Sequence, residues 1–193
     1  MTVARILAFS GSARSESFNQ RLVNVAAGYA RTAGAEVTIL NLGELDLPIF
    51  DEDLEKEITA PEGARRLKQL MFDHDAFLIS CPEYNSSITP LLKNAIDWAS
   101  RPADGESPLQ AFKGKVCGLM SASPGGLGGL RGLVHVRSIL GNIGVLVVPE
   151  QVAVGGVMKM FTESGDDLME GMQKKMLLEM VQRVVQVSGR LFA

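Results

Sequence analysis

The chain has 193 residues, 46% of them hydrophobic and 21% charged, which suits one domain with a substantial core and an ordinary globular surface. Its 19 Lys and Arg against 22 Asp and Glu leave a net charge of −3, which gives no electrostatic reason to propose nucleic acid or an anionic membrane as partner. No charged-then-apolar leader and no apolar run near ~18 residues is present, and Cys81 and Cys117 fall in apolar strand-like runs as reduced, buried thiols, so a cytoplasmic protein without a membrane span is expected.

Residues 3–9 read as a first strand. It empties into a small polar loop, and residues 18–33 follow as an amphipathic helix with Phe18, Leu22, Val25, Ala26, Tyr29, Ala30 and Ala33 at helical spacing and Gly34 as its stop. Val37, Ile39 and Leu40 give a second strand, and residues 41–60 a long connection whose Asp51-Glu52-Asp53 reads as a solvated acidic loop. Pro61 opens a helix over 61–73. The run Ala76-Phe77-Leu78-Ile79-Ser80 is apolar on both faces and belongs in the middle of a parallel sheet.

Pro82 ends that strand, PEYNSSITP (82–90) is a loop, and 91–100 a helix. Residues 101–114 are a surface loop, 116–120 a fourth strand, and SASPGGLGG (121–129) a second small-residue loop. A helix over 130–142 precedes a fifth strand at 145–148, with an extension at 151–154. The last helix is expected over 164–189, with a spine of Met169, Met172, Met176, Met180, Val184 and Val187. The alternation predicts a three-layer α/β sandwich, a five-stranded parallel sheet with helices on both faces, formed by residues 1–193 as a single domain.

In such a sheet, ligands bind beyond the carboxyl ends of the strands. Three loops leave those ends, at 10–17, 82–90 and 121–129, all rich in small or hydrogen-bonding residues. The first leads into a helix N-terminus, where free N–H groups and the dipole favour an anion. It lacks the lysine of a phosphate-binding P-loop and the G-x-G-x-x-G of a dinucleotide fold, and Leu40 and Asn41 stand where a ribose-binding acid would. Ser12, Arg14, Ser17 and Asn19 instead suit a lone phosphate monoester, or else Ser and Asn cap the helix and no more. Tyr84 is either a wall for a flat ring or a residue packed on the core. Four glycines in 121–129 serve either close backbone approach to something flat or a tight turn.

GSARSESFN (11–19) resembles the GSxRxxSxN phosphate loop of the NADPH-dependent FMN reductase family. PEYN with LLKNAIDW (91–98) resembles that family's second signature and SASPGGLGG its third, and the likeness runs over about residues 3–155. The resemblance implies a flavodoxin-like fold with strand order 2-1-3-4-5. It implies that Ser12, Arg14, Ser17, Asn19 and Gln20 hold the FMN phosphate. Pro82, Glu83, Tyr84 and Asn85 would line the isoalloxazine and ribityl chain, and Ser123, Gly125 and Gly126 would close the other side of the ring. Thr89-Pro90 departs from the Pro-Gly of many relatives, with consequences for the substrate entrance.

No side chain reads as an acid–base catalyst, which a flavin enzyme permits because the cofactor carries the chemistry. His74 and His135 read as structural or solvated, no spacing suggests a metal, and Asp97 and Trp98 read as packing that supports the loop at 82–90. The resemblance implies ping-pong hydride transfer from NADPH or NADH through FMN to a small-molecule acceptor such as a quinone, azo compound, chromate or free flavin. A flavodoxin-type electron carrier and a flavin-free binding domain stay open beside it. Arg101 either meets a nicotinamide phosphate or anionic acceptor, or complements a helix C-terminus. Met158, Met160, Phe161 and the methionine spine exceed what one small core needs and point to a homodimer or homotetramer, with intramolecular packing as the alternative.

Overall fold

A computed structural model describes residues 2–103 and 105–192 of the chain. Five parallel strands, β1 (Arg5–Ser10), β2 (Glu36–Asn41), β3 (Ala76–Ser80), β4 (Val116–Ala122) and β5 (Leu146–Val154), form one sheet in the order β2-β1-β3-β4-β5. This is the flavodoxin-like order. Every residue of β3 and β4 is buried, whereas β2 buries only Leu40 and β5 mixes buried, half-buried and exposed positions. Continuous apolar runs therefore sit in the centre and mixed ones at the edges, as coverage by helices on both faces requires.

The helices are α1 (Phe18–Thr32), α2 (Glu52–Ile58), α3 (Glu62–Asp73), α4 (Pro90–Ser100), α5 (Leu130–Asn142) and α6 (Met172–Leu191). Helices α1 and α6 cover one face, where Ile6, Ala8, Leu22, Leu78, Met120, Met180 and Val184 share a core. Helices α3, α4 and α5 cover the other, where Leu7, Phe9, Leu67, Phe77, Leu92, Leu119 and Leu133 pack together. Alternate residues of one strand feed opposite cores, which is the period-2 geometry of the pleat. Gly118 lets α6 lie close on β4, because a Cβ there would meet Met180 Sδ at 2.3 Å.

Several expectations need correction. The connection at 41–60 is not all loop: a 3-10 turn spans Leu42–Leu45, and Asp51 caps α2 by accepting from the N–H groups of Asp53 and Leu54 at 2.8 and 3.0 Å. The acidic triplet is thus a helix start, where the dipole favours negative charge. The extension at 151–154, by contrast, continues the fifth strand at the sheet edge as expected, and the strand runs through Pro149, which an edge tolerates because the missing N–H has no ladder to serve.

The last helix begins at Met172 rather than near 164. Residues 160–169 turn back on themselves instead, with Thr162 N–H on Asp167 O at 3.0 Å and Met169 N–H on Met160 O at 2.8 Å. Gly165, at φ 74°, sits in the left-handed region within that turn. The supposed spine divides accordingly. Met180 and Val184 are buried, while Met169, Met172 and Met176 are exposed.

Trp98 donates from Nε1 to Pro48 O at 2.7 Å and meets Phe50 edge-on at 5.0 Å, and Asp97 pairs with Lys93 at 2.8 Å. Trp98 thus supports the 46–50 segment, Asp97 is paired along its own helix, and neither bonds to the loop at 82–90. His74 is structural: it is buried between Leu70 O and Thr38 Oγ1. Among the described residues no helix is long and apolar enough to cross a membrane.

The junction between the 3-10 turn and α3 depends on Gly63, where a Cβ would lie 1.8 Å from Leu45 O. Backbone cannot rotate away as a side chain can, so Gly63→Ala is expected to lower stability by about 1–3 kcal/mol in urea unfolding. An unchanged midpoint would show that the two elements separate freely.

Candidate functional site

The loops that follow β1, β3 and β4 converge at the carboxyl edge of the sheet. Gly11 opens the first, donating to Ser80 O at 2.9 Å. It is squeezed by the start of α4: a Cβ there would meet Leu92 Cβ and Thr89 Oγ1 at 3.0 Å. Thr89 Oγ1 donates to Gly11 O at 2.7 Å and accepts from Leu92 N–H at 3.2 Å. One hydroxyl therefore caps α4 and ties it to the first loop, with Pro90 pre-set as the first helical residue. This is the local structure that Thr89-Pro90 builds.

Asn19 is the centre of the arrangement. It is buried, its Nδ2 donates to Ala122 O at 2.8 Å, and its Oδ1 accepts from Ala122 N–H at 3.0 Å and from Ser80 Oγ at 2.9 Å. The start of α1 is thereby fixed to the ends of β3 and β4. Ser17 Oγ accepts from Gln20 N–H at 3.2 Å, so this serine is the helix N-cap as well as a wall of the cleft.

The loop after β3 folds as a tight hairpin. Tyr84 and Ser87 exchange backbone hydrogen bonds at 2.9 and 3.0 Å, while Asn85 (φ 50°) and Ser86 (φ 66°) both lie in the left-handed region, the geometry of a type I′ turn. Tyr84 stands 53% exposed, away from the core. Glu83 points the other way. Its carboxylate accepts from the N–H groups of Arg131 and Gly132 at 3.0 and 3.2 Å and from Arg131 Nε at 2.8 Å, closing the N-terminus of α5. Burial alone would raise its pKa, but these hydrogen bonds and the guanidinium charge outweigh it and hold the carboxyl below its ordinary range.

The loop after β4 is fastened to the end of β5. Ser123 N–H donates to Val154 O at 3.0 Å, and Gly156 N–H donates to Gly125 O at 3.2 Å. The four glycines divide into two roles. Gly128 and Gly129 have φ of +62° and +87° and lie where a Cβ would strike Val154 or Ser121, so they serve close packing. Gly125 and Gly126 have almost nothing near their Cβ positions and leave the backbone open.

Two clefts result. One of ≈ 300 Å³ is lined by Ser12, Arg14, Ser17, Phe18, Asn19, Pro82, Glu83, Tyr84, Ala122, Ser123 and Pro124. The second, of ≈ 480 Å³, contains Asn85, Gly125, Gly126 and Arg131, and shares Glu83 and Ser123 with the first. Both volumes suit a small-molecule site. Hydroxyls and a guanidinium line the first, and exposed backbone the second. Among the described residues Arg14 has no ion-pair partner, whereas Arg131 is matched by Glu83. No group of three His, Cys, Asp or Glu gathers as a metal site among the described residues.

The structure brings together Ser12, Arg14, Ser17, Asn19, Pro82, Glu83, Tyr84, Asn85, Ser123, Gly125 and Gly126. It leaves two expected residues out. Gln20 lies outside both clefts: its side-chain amide donates to Asn24 at 3.1 Å along the helix. Arg101 sits just past the far end of α4, which at ~1.5 Å per residue is about 16 Å from its start. There it pairs with Glu55 at 2.8 Å and lies over Phe50. Arg131 escaped the sequence reading, Phe18 was read there as a helix residue, and Thr89 was read as a departure at the substrate entrance and not as a cap, although Thr-Pro ahead of an apolar helix is a legible N-cap signal.

Removing the side chain of Asn19 orphans groups at two strand ends, so Asn19→Ala is expected to cost about 2–4 kcal/mol in chemical denaturation. A loss under ~0.5 kcal/mol would show that the strand ends find other partners. Glu83 makes a pH-dependent contribution. Its lowered carboxyl stabilises the fold above the ordinary glutamate range, and that stability is lost as pH falls through the lower folded value. Glu83→Gln is accordingly expected to lower the melting temperature at pH 7 and to flatten its decline in acid. Parallel curves for both proteins would contradict this.

Comparison with known proteins agrees with this architecture. Residues 4–159 match the NADPH-dependent FMN reductase family. An NAD(P)H-dependent FMN reductase of Pseudomonas aeruginosa is 35% identical over 136 residues, covering 70% of this chain and 69% of that protein. A quinone reductase of Pseudomonas putida is 37% identical over 157 residues, covering 80% of each. The solved structure of FerB, a flavoenzyme NAD(P)H:(acceptor) oxidoreductase from Paracoccus denitrificans, superposes with a TM-score of 0.80 at 28% identity, over 97% of this chain and 98% of that one. With four-fifths of its length matched and the three loops in place, the chain belongs to the NADPH-dependent FMN reductase family, an oxidoreductase family working with FMN and NAD(P)H.

Proposed function

We propose that the protein takes a hydride from NADPH or NADH at a bound FMN and passes two electrons to a quinone or a similar acceptor in ping-pong order. Azo compounds, chromate and free flavin fall in the same acceptor class. The carrying observation is the pair of joined clefts, polar and cationic at the Ser12–Arg14 end and open along the backbone at Gly125–Gly126.

The donor set fits FMN. A phosphate monoester suits Ser12, Arg14, Ser17 and the start of α1, where hydroxyls, a guanidinium and the helix dipole act together. Asn19 contributes by holding that helix in place, since its own polar atoms are taken. A flat ring suits the open glycines on one side and Pro82 to Asn85 on the other. When bound, FMN supplies hydride and electron transfer. The chain binds, orients and holds backbone donors in place, which is the preorganised part of catalysis.

The exposed methionines, Met158, Met169, Met172 and Met176, support a homodimer or homotetramer, because adaptable apolar side chains left in water favour a second surface. Two unpaired, buried cysteines support a reducing, cytoplasmic setting. The chain acts as a single domain, its five strands sharing one sheet.

Purified protein is expected to be yellow, to release FMN on denaturation and to lose flavin absorbance when NADPH or NADH is added without oxygen. A yellow protein that both nucleotides leave oxidised would be an electron carrier instead. Arg14→Ala is expected to weaken FMN binding about tenfold to a hundredfold, the worth of a charged hydrogen-bonding partner, with the melting temperature little changed. Undiminished FMN affinity would remove Arg14 from the phosphate site.

A further inference from the structure

Beside the phosphate loop a row of side chains runs Arg14, Phe18, Phe161, Arg21. The rings of Phe18 and Phe161 are 6.5 Å apart at 13° to one another. The Arg14 guanidinium carbon lies 5.9 Å from the Phe18 centroid and that of Arg21 lies 5.2 Å from the Phe161 centroid. Phe18 lines the cleft beside Arg14. Phe161 comes from the 160–169 hairpin, beyond the segment that matches the family.

That hairpin is braced. Asp167 accepts from Tyr29 OH, from Leu168 N–H at 2.7 Å and from Lys174 Nζ at 2.7 Å, so α1, the hairpin and α6 meet at one carboxylate. Phe161 is half-buried against the α1–α6 core, and Gly165 packs against Arg21, whose guanidinium carbon would be 3.3 Å from a Cβ there. Arg14, by contrast, is exposed and, among the described residues, has no carboxylate to hold it. Its positioning contact is the Phe18 ring.

We infer that Phe161, acting through Phe18, positions the Arg14 guanidinium over the phosphate end of the cleft and so makes the site select a phosphorylated flavin over its phosphate-free counterpart. This rests on the FMN reading above. Phe161 is a positioning residue. It touches neither the cleft nor any reacting atom, and its effect is confined to the one group that Arg14 would grip. A ring stack fixes Phe18, and Phe18 offers its face to a cation that would otherwise sample solvent.

The test is a set of dissociation constants for FMN and riboflavin, read by flavin fluorescence, for the full chain and for Phe161→Leu, Phe161→Tyr, Arg14→Ala and the Phe161→Leu/Arg14→Ala pair. Phe161→Leu keeps apolar bulk and is expected to weaken FMN about threefold to tenfold, the range of a lost ring contact, while riboflavin stays within about twofold. Phe161→Tyr retains the stack and is expected to restore FMN affinity. In the Arg14→Ala background, Phe161→Leu is expected to add nothing, because the residue it acts through is gone. Equal weakening of both flavins, a full loss that persists without Arg14, failure of Phe161→Tyr to rescue, or unchanged FMN affinity would each overturn the inference and leave the FMN reading standing. An unaltered chain that binds neither flavin would overturn the FMN reading itself.

Discussion

The carboxamide of Asn19 joins three parts of the chain that lie far apart in sequence. Through three hydrogen bonds of 2.8–3.0 Å it fixes the first turn of α1 to Ser80 at the end of β3 and to Ala122 at the end of β4. Those are the strands that send out the two ring-side loops. Without that link the phosphate-side loop and the ring-side loops would share a sheet but not a fixed spacing. A buried amide whose Nδ2 donates and whose Oδ1 accepts twice is stable where an aspartate would be charged and short of a donor, and a leucine would leave the Ala122 N–H and C=O without this partner. Thr89 repeats the device on the other side, where one hydroxyl serves both α4 and Gly11.

The cleft therefore separates support from contact. Asn19, Thr89 and Glu83 spend their polar atoms on the protein itself. Ser12, Arg14 and the exposed glycines Gly125 and Gly126 line the clefts, and in the proposed function they face the ligand. Glu83, which lines both clefts, is ion-paired and hydrogen-bonded to the start of α5, which favours its ionised form and gives it a structural role. A site of this kind supplies geometry and dipoles and relies on a bound cofactor for reactivity.

Much of this was legible in the residues. The apolar run at 76–80 read as a central strand and 116–120 as a fourth, which the structure extends to Ala122, and the three small-residue loops fell at one sheet edge because parallel strands share a direction. The motif residues of the first loop were visible, but their division of labour was not. A polar side chain turned to solvent and one turned to a strand end look alike in sequence, so Asn19 and Gln20 read as ligands. Arg101 failed for a related reason: following a helix that starts at the site places a residue at the helix's far end. The late start of α6 was hidden because Met169, Met172 and Met176 keep helical spacing across a hairpin whose cause, the Asp167 contacts to Tyr29 and Lys174, spans 138 and 7 positions. Sequence periodicity carries no signal for such pairs.

In the proposed complex the loop at Gly11–Asn19 holds the phosphate of FMN while the reactive ring lies between Tyr84 and Gly125. A crystal structure of the FMN complex measures this most directly. The account requires phosphate oxygens within hydrogen-bonding distance of Ser12, Arg14 and Ser17, with the ring against the Gly125–Gly126 backbone and the Asn19 bonds intact. A phosphate bound at Arg131, with the ring reversed in the cleft, would contradict it.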